Sequence, residues 1–239
     1  PYLLGFQNGV YDFKTKTFRD GVAEDYVSLS TGTNYRPYDP NDSEQVKLKE
    51  ELDDFFFKIF PNEELRRYMW DHAAAALIGI NTHQSFNVYT GGGGNGKSMF
   101  VDLMNMVLGS YSDKCNISLI TQKRKGIGGP TPEIAKLRGK RYVSMDEPSK
   151  GDELNEGIMK QLTGGDEIEG RGMYEKKMVK FIPQFTLVCS TNNPFEIKSN
   201  DQGTWRRIKN VPYNAEFVDP DVMEQKIASG LTNDPENPI

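Results

Sequence analysis

Residues 88–100 read VYTGGGGNGKSMF: a short apolar run, four consecutive glycines, then Asn95-Gly96-Lys97-Ser98. Two phosphate-binding patterns fit the same letters. Gly91, Gly93 and Gly96 satisfy G-x-G-x-x-G, the dinucleotide fingerprint, while Gly91, Gly96, Lys97 and Ser98 satisfy G-x-x-x-x-G-K-[ST], the P-loop. Either pattern belongs between a strand and a helix, and VYT before and MFVDLMNMVLG after supply both. The dinucleotide pattern also needs an acid at the end of the second strand to hold a ribose. The nearest candidate, Asp113, precedes the strand expected over KCNISLI at 114–120, and that reading leaves Lys97-Ser98 unused. The P-loop reading uses every residue. Gly91, Gly92, Gly93, Gly94, Asn95 and Gly96 form a backbone cradle, Lys97 puts a positive charge at the β and γ phosphates, and Ser98 joins a Mg²⁺ shell. ATP and Mg²⁺ are the expected cofactors.

Three downstream segments extend this. KRYVSMDEP, residues 140–148, is an apolar strand ending in two acids. There Asp146 would hold the magnesium and Glu147 would polarise an attacking water. An Asp-Glu pair favours ATP hydrolysis, and the guanine-specific N-K-x-D pattern is missing. FTLVCSTNNPF, residues 185–195, is a strand ending in polar residues, where Asn192 would position the water and sense the γ phosphate. Its neighbour Asn193 competes for that role. DQGTWRRIKNVPY, residues 201–213, places Arg206 and Arg207 at the front of a strand, and an arginine supplied in trans can neutralise charge developing in phosphoryl transfer.

The rest of the chain frames these motifs. Its 239 residues suit one α/β domain with a smaller appendage, and no apolar run is long enough to span a membrane. The chain opens on Pro1 and reads as a piece of something longer. Cys115 and Cys189 each sit beside apolar residues and read as reduced core thiols of an intracellular protein. The net charge of −5 resides in residues 1–80, which hold 9 basic against 14 acidic residues. Two basic islands follow, at 123–141 and 171–180, each readable as a nucleic-acid face or as solvated charge. FQNGVYDFKTKTF, residues 6–18, predicts a hairpin turning at Asn8-Gly9. Ser43 and Asn62 are the expected caps of two helices, the second ending in an Ala-rich run expected to be core. The strands recurring from residue 85, separated by helices and loops, predict a parallel sheet covered on both faces.

In this order the four elements resemble the superfamily 3 helicases, ring-forming AAA+ motors of viruses and plasmids. LRGKRYVSMDEPSK, LTGGDEIEGRGMYEKKMVKFIPQFTLVCSTNNPFEI and DQGTWRRIKNVPY resemble its poxvirus-type branch, the primase-helicases of large DNA viruses and some phages. FQNGVYDFKT resembles the segment that precedes the ATPase core there. The resemblance implies an AAA+ P-loop NTPase core at 81–230, preceded by a β-hairpin and helical collar-like segment at 1–80 and followed by a flexible tail at 231–239. It also implies a hexameric ATP-driven DNA helicase encircling single-stranded DNA, with a primase domain elsewhere in the longer chain and a viral replication site in the host cytoplasm as its setting. Lys97 and Ser98 match the Walker A ends, Asp146 and Glu147 the Walker B acids, Asn192 the polar sensor and Arg207 the trans-acting finger. The family's DNA-contacting hairpin maps to GRGMYEKKMVKF, where Lys176 and Lys177 would hold phosphates and Tyr174 would stack on a base or pack on the sugar. The Lys-His tip common in that hairpin is missing here. The loop KRKGIGG, 123–129, would also line the channel. A P-loop small-molecule kinase and a nucleotide-gated scaffold without turnover stand as alternatives. The first needs an acceptor pocket and lid arginines; the second has no use for Lys97, Asp146, Glu147 and Arg207 together.

Overall fold

A computed structural model describes residues 1–122, 130–193 and 196–229. The loop at 123–129 and the tail at 231–239 lie outside the described residues. Three short strands, β1 (Leu3–Phe6), β2 (Gly9–Asp12) and β3 (Thr17–Arg19), open the chain as an antiparallel meander. Phe6 pairs with Gly9, so the turn is Gln7-Asn8, one residue earlier than expected. A Cβ at Gly9 would stand 2.5 Å from the Arg19 carbonyl, so glycine is needed there for strand approach.

Helix α1 (Ser43–Ile59) is capped by Asp42 and not by Ser43. The Asp42 carboxylate accepts from the N–H groups of Glu44 and Gln45 at 3.0 and 3.3 Å. Its negative charge also complements the helix N-terminus, which a serine hydroxyl does not. Helix α2 (Glu63–Ile78) is capped as expected by Asn62, whose Oδ1 accepts from Leu65 N–H at 2.9 Å. Only one side of its Ala-rich run is core: Ala76 is buried while Ala74 and Ala75 face outward, as a 3.6-residue period requires.

Next come β4 (Phe86–Thr90), α3 (Lys97–Leu108), β5 (Ser112–Cys115), α4 (Ser118–Thr121), α5 (Pro132–Ala135), β6 (Tyr142–Met145) and α6 (Glu156–Thr163). A two-stranded ribbon of β7 (Ile168–Gly170) and β8 (Val179–Phe181) leads to β9 (Thr186–Thr191), α7 (Gln202–Trp205), β10 (Ile208–Pro212) and α8 (Pro220–Ala228). β10, β4, β9, β6 and β5 form, in that order, a five-stranded sheet in which every pair is parallel. The expected second strand is cut short. After Cys115, Asn116 Oδ1 accepts from Ser118 N–H at 2.8 Å and turns the chain into α4. Asp113 lies inside β5, ion-paired to Lys140 at 3.3 Å and Lys136 at 3.6 Å.

Side chains alternate across the sheet into two cores. Phe86, Val88, Val143, Met145, Leu187 and Cys189 pack with Ile134, Ile158 and Leu162 on one face. Tyr89, Tyr142, Val188 and Val211 pack with Phe56, Phe60, Met69 and Phe100 on the other. Helices therefore cover both faces, and the strands read as near-continuous apolar runs for that reason. Both thiols are buried and unpaired, and burial pushes each up to about 12.

The second core holds a polar relay. His72 Nε2 lies 2.7 Å from the Tyr89 hydroxyl, which lies 3.4 Å from that of Tyr142. Burial lowers the His72 pKa from 6.5 to about 4. Above pH 6.5 the ring is neutral in folded and unfolded chains alike. As pH falls from 6.5 towards 4, the unfolded chain takes up a proton that the buried ring refuses, so stability drains away across that window. The full shift is worth about 3 kcal/mol. Denaturant unfolding at pH 7 and pH 4.5 reads this directly: His72→Gln is expected to lose less stability between the two than the parent, by roughly 2–3 kcal/mol. Equal losses would place the acid sensitivity elsewhere.

One member of the first basic island is no surface charge. Arg141 is 2% exposed and donates to the carbonyls of Leu77, Pro1 and Leu3, with its guanidinium 4.7 Å from the centre of the Tyr111 ring. Burial pulls its pKa to about 10. It ties the chain start and the end of α2 to the sheet, where the helix C-terminus favours a cation. Lys136 and Lys140 are engaged with Asp113, so this end of the island is largely internal structure.

Candidate functional site

β4 runs from the core to Thr90, and the glycines begin where it ends. A Cβ at Gly91 would meet Asn95 Nδ2 and the Tyr213 carbonyl at 2.5 Å each. At Gly96, φ is +85° and a Cβ would meet the Ile59 side chain at 2.9 Å. Both positions therefore exclude a side chain, by close approach and by positive φ alike. The loop is clamped from outside by the segment after β10: Phe217 N–H donates to the Gly94 carbonyl at 2.6 Å, and Asn95 Nδ2 donates to the Tyr213 carbonyl at 3.2 Å. α3 then starts at Lys97 with Gly96 in the capping position and no side chain capping it.

Lys97 is only 8% exposed. Its ammonium donates to the carbonyls of Gly91 and Gly92 at 2.7 and 2.8 Å, and to Asn95 Oδ1 and Asn192 Oδ1 at 3.1 Å each. Burial lowers its pKa, and the nearby Glu147 carboxylate works in the opposite direction. Asn192 joins the two charged groups: its side chain accepts from Lys97, and its backbone N–H donates to Glu147 Oε1 at 2.7 Å. β9 lies between β4 and β6 in the sheet, so Asn192 emerges between the glycine loop and the acids. Lys97, Ser98, Asp146, Glu147 and Asn192 all line one cleft of about 550 Å³ at the carboxyl ends of the strands. Asn193 does not line it. Ligands of open parallel sheets bind at this edge.

Sequence reasoning missed three parts of the cleft. Lys114 on β5 reaches across to Asp146 Oδ1 at 2.5 Å. Ser144 presents a buried hydroxyl with no partner among the described residues. On the far flank of the loop, an apolar pocket of about 270 Å³ between Phe55, Ile59, Met99 and Phe217 shares Gly94, Gly96 and Met99 with the cleft.

Arg207 is not brought to this cleft. Ile208 pairs with Phe86 and Pro212 with Thr90, so Arg207 stands at the amino end of the strand pair whose carboxyl end carries the loop. Five residues at ~3.3 Å each separate them by roughly 16 Å. There Arg207 donates to the Gly203 carbonyl at 2.7 Å and to Gln84 Oε1 at 2.8 Å, and Arg206 donates to the same Gln84 oxygen at 2.8 Å.

The segment 171–178 forms the tip of the β7–β8 ribbon. Ile168 anchors the ribbon in the first core. Tyr174 at the tip is 98% exposed and left-handed (φ +63°), and Lys176 and Lys177 are exposed beside it.

Two family models match the chain. One, described as "D5 N terminal like", covers residues 1–57, and one described as a family of unknown function (DUF5906) covers residues 89–207, from β4 to Arg207. A "Putative helicase" of Acanthamoeba polyphaga mimivirus is 39% identical over 217 residues, covering 91% of this chain and 22% of its own. A "Putative helicase" of Invertebrate iridescent virus 3 is 35% identical, covering 91% and 23%. A "Putative primase" of African swine fever virus is 29% identical, covering 91% and 22%. The chain is homologous to proteins of large DNA viruses that carry helicase and primase names. It spans under a quarter of the length of these three relatives. Among solved structures, the apo NrS-1 C terminal region superposes with a TM-score of 0.53 at 13% identity, covering 96% of this chain and 50% of that one. That likeness is one of fold. No helix among the described residues is long and apolar enough to cross a membrane.

Proposed function

We propose that this chain is the ATP-hydrolysing motor segment of a viral replication primase-helicase, an AAA+ P-loop NTPase of superfamily 3. In this reading it works as a hexamer on single-stranded DNA in the infected cell. The observation that carries the reading is the chain of hydrogen bonds Lys97–Asn192–Glu147, which sets a cation, a polar sensor and a candidate base around one cleft. The homologues' names support the DNA-replication setting.

The residues fit a nucleotide and its metal. Lys97 is held by three oxygens of a loop that excludes a side chain at Gly91 and Gly96, and by Asn192 Oδ1. Ser98 and Asp146 offer the hard oxygen ligands that magnesium prefers, and that ion would neutralise charge on the β and γ phosphates. On binding, Lys97 exchanges loop carbonyls for phosphate oxygens. Asn192 Nδ2 then donates towards the γ phosphate, and Glu147, oriented by Asn192 N–H, accepts the proton of the attacking water. Lys114 must release Asp146 for the metal to be held. The apolar pocket between Met99 and Phe217 seats the base. Arg207, far from its own cleft, completes that of a neighbouring subunit. Tyr174, Lys176 and Lys177 face the DNA.

ATP hydrolysis measured against protein concentration, with and without single-stranded DNA, tests this. The rate per subunit is expected to rise with both, and the rise with DNA to vanish in Lys176→Ala/Lys177→Ala. A rate flat in concentration and indifferent to DNA would remove the ring, and phosphate transfer to an added nucleoside would replace the motor with a kinase.

A further inference from the structure

The arginine pair is organised by a residue that no motif contains. Gln84 lies two residues before β4, in the left-handed region (φ +50°), which a residue other than glycine, asparagine or aspartate seldom adopts. Its N–H donates to the Asn81 carbonyl at 3.2 Å, which fixes the turn. Its single side-chain oxygen takes two guanidinium N–H groups, from Arg206 and Arg207, at 2.8 Å each. Neither arginine is ion-paired to a carboxylate among the described residues, and Arg207 Nε is buried without a partner. The backbone around them is tied down: Phe86 N–H donates to the Arg207 carbonyl at 2.7 Å, and Arg207 N–H donates to the Thr204 carbonyl at 3.1 Å.

The geometry points to Gln84 as the positioning residue of the arginine pair. An amide is suited to that task where a carboxylate is not. Two like charges are drawn to one acceptor and aligned, yet neither is neutralised, so both keep full charge for an external anion. A glutamate at the same place would bind a guanidinium through two charge-assisted bonds and hold its charge at home. The anion served is the phosphate of a nucleotide on an adjacent subunit, so the inference rests on the proposal that Arg207 acts in trans.

Mixed assemblies separate the two. Wild-type subunits are combined with an excess of Lys97→Ala subunits, which turn over nothing themselves but present their arginines to wild-type clefts. Adding Gln84→Glu to the Lys97→Ala subunit is expected to cut turnover per wild-type subunit about 10- to 100-fold, the scale of a misplaced catalytic group. Adding Arg207→Ala is expected to cut it at least as much. Gln84→Asn accepts the left-handed backbone but is one methylene short, so it is expected to lower turnover without changing melting temperature or assembly size. Binding of a fluorescent ATP analogue to a Gln84→Glu subunit with Lys97 intact is expected to match wild type. Loss with Arg207→Ala but none with either Gln84 variant would overturn the positioning role alone. No loss with Arg207→Ala would remove the trans-acting arginine, and the role of Gln84 with it.

Discussion

Lys97→Ala is expected to reduce ATP hydrolysis to background and to abolish measurable nucleotide binding. The ammonium is the cation closest to the proposed phosphates, and it donates to four acceptors from the loop and the end of β9. Those acceptors hold it in place before any phosphate arrives, so little ordering is left to occur on binding. Removing a single pre-organised donor of this kind costs about 10²–10³-fold in turnover, and lost binding multiplies it. Lys97→Arg is expected to fail nearly as badly. A planar guanidinium cannot direct its donors at oxygens that converge on one point as a compact ammonium does. Steady-state hydrolysis and titration with a fluorescent ATP analogue measure the two effects separately, with melting temperature as the control for folding. Turnover at the parent rate in Lys97→Ala would end the P-loop reading.

Much of this site is legible in the sequence because its parts are local. The apolar run before Gly91, the glycines of the loop and the helix after them are consecutive, so their pattern survives without knowledge of the fold. The acids after Met145 and the asparagines after Thr191 are likewise read from strand ends. What escapes is whatever the strand order decides. The letters STNN favour Asn192 but keep Asn193 as a competitor; the place of β9 between β4 and β6 puts the Asn192 oxygen 3.1 Å from Lys97. Lys114 meets Asp146 because β5 and β6 pair with Lys114 opposite Ser144, a contact between residues that sequence alone leaves unconnected. Arg141 reads as one more charge in a basic run. Its burial depends on three carbonyls from Pro1, Leu3 and Leu77, distant in the chain. At Cys115 the error is of another kind: apolar letters continue, but the Asn116 side chain turns the backbone before they can extend the strand. Local hydrogen bonding there overrides periodicity.

Arg207→Ala is expected to leave nucleotide affinity unchanged and to lower turnover by about 10³–10⁵-fold, the scale of losing a transition-state arginine. The two halves of this expectation come from one geometric fact. Arg207 and the glycine loop stand at opposite ends of the same strand pair, roughly 16 Å apart along five residues at ~3.3 Å, beyond the reach of an arginine side chain. Within its own subunit the guanidinium therefore cannot touch the phosphates, and its removal has no route to the affinity of its own cleft. If it acts, it acts on a neighbour, and only once charge develops there. Mixing the variant with Lys97→Ala at constant total protein makes this visible. Neither variant turns over alone, but an Arg207→Ala cleft flanked by a Lys97→Ala subunit receives that subunit's arginine, so hydrolysis is expected to appear in the mixed assemblies. No hydrolysis in assemblies that contain both variants would mean that each cleft works with its own residues alone. Gln84 would then be holding two arginines for the fold and not for a partner.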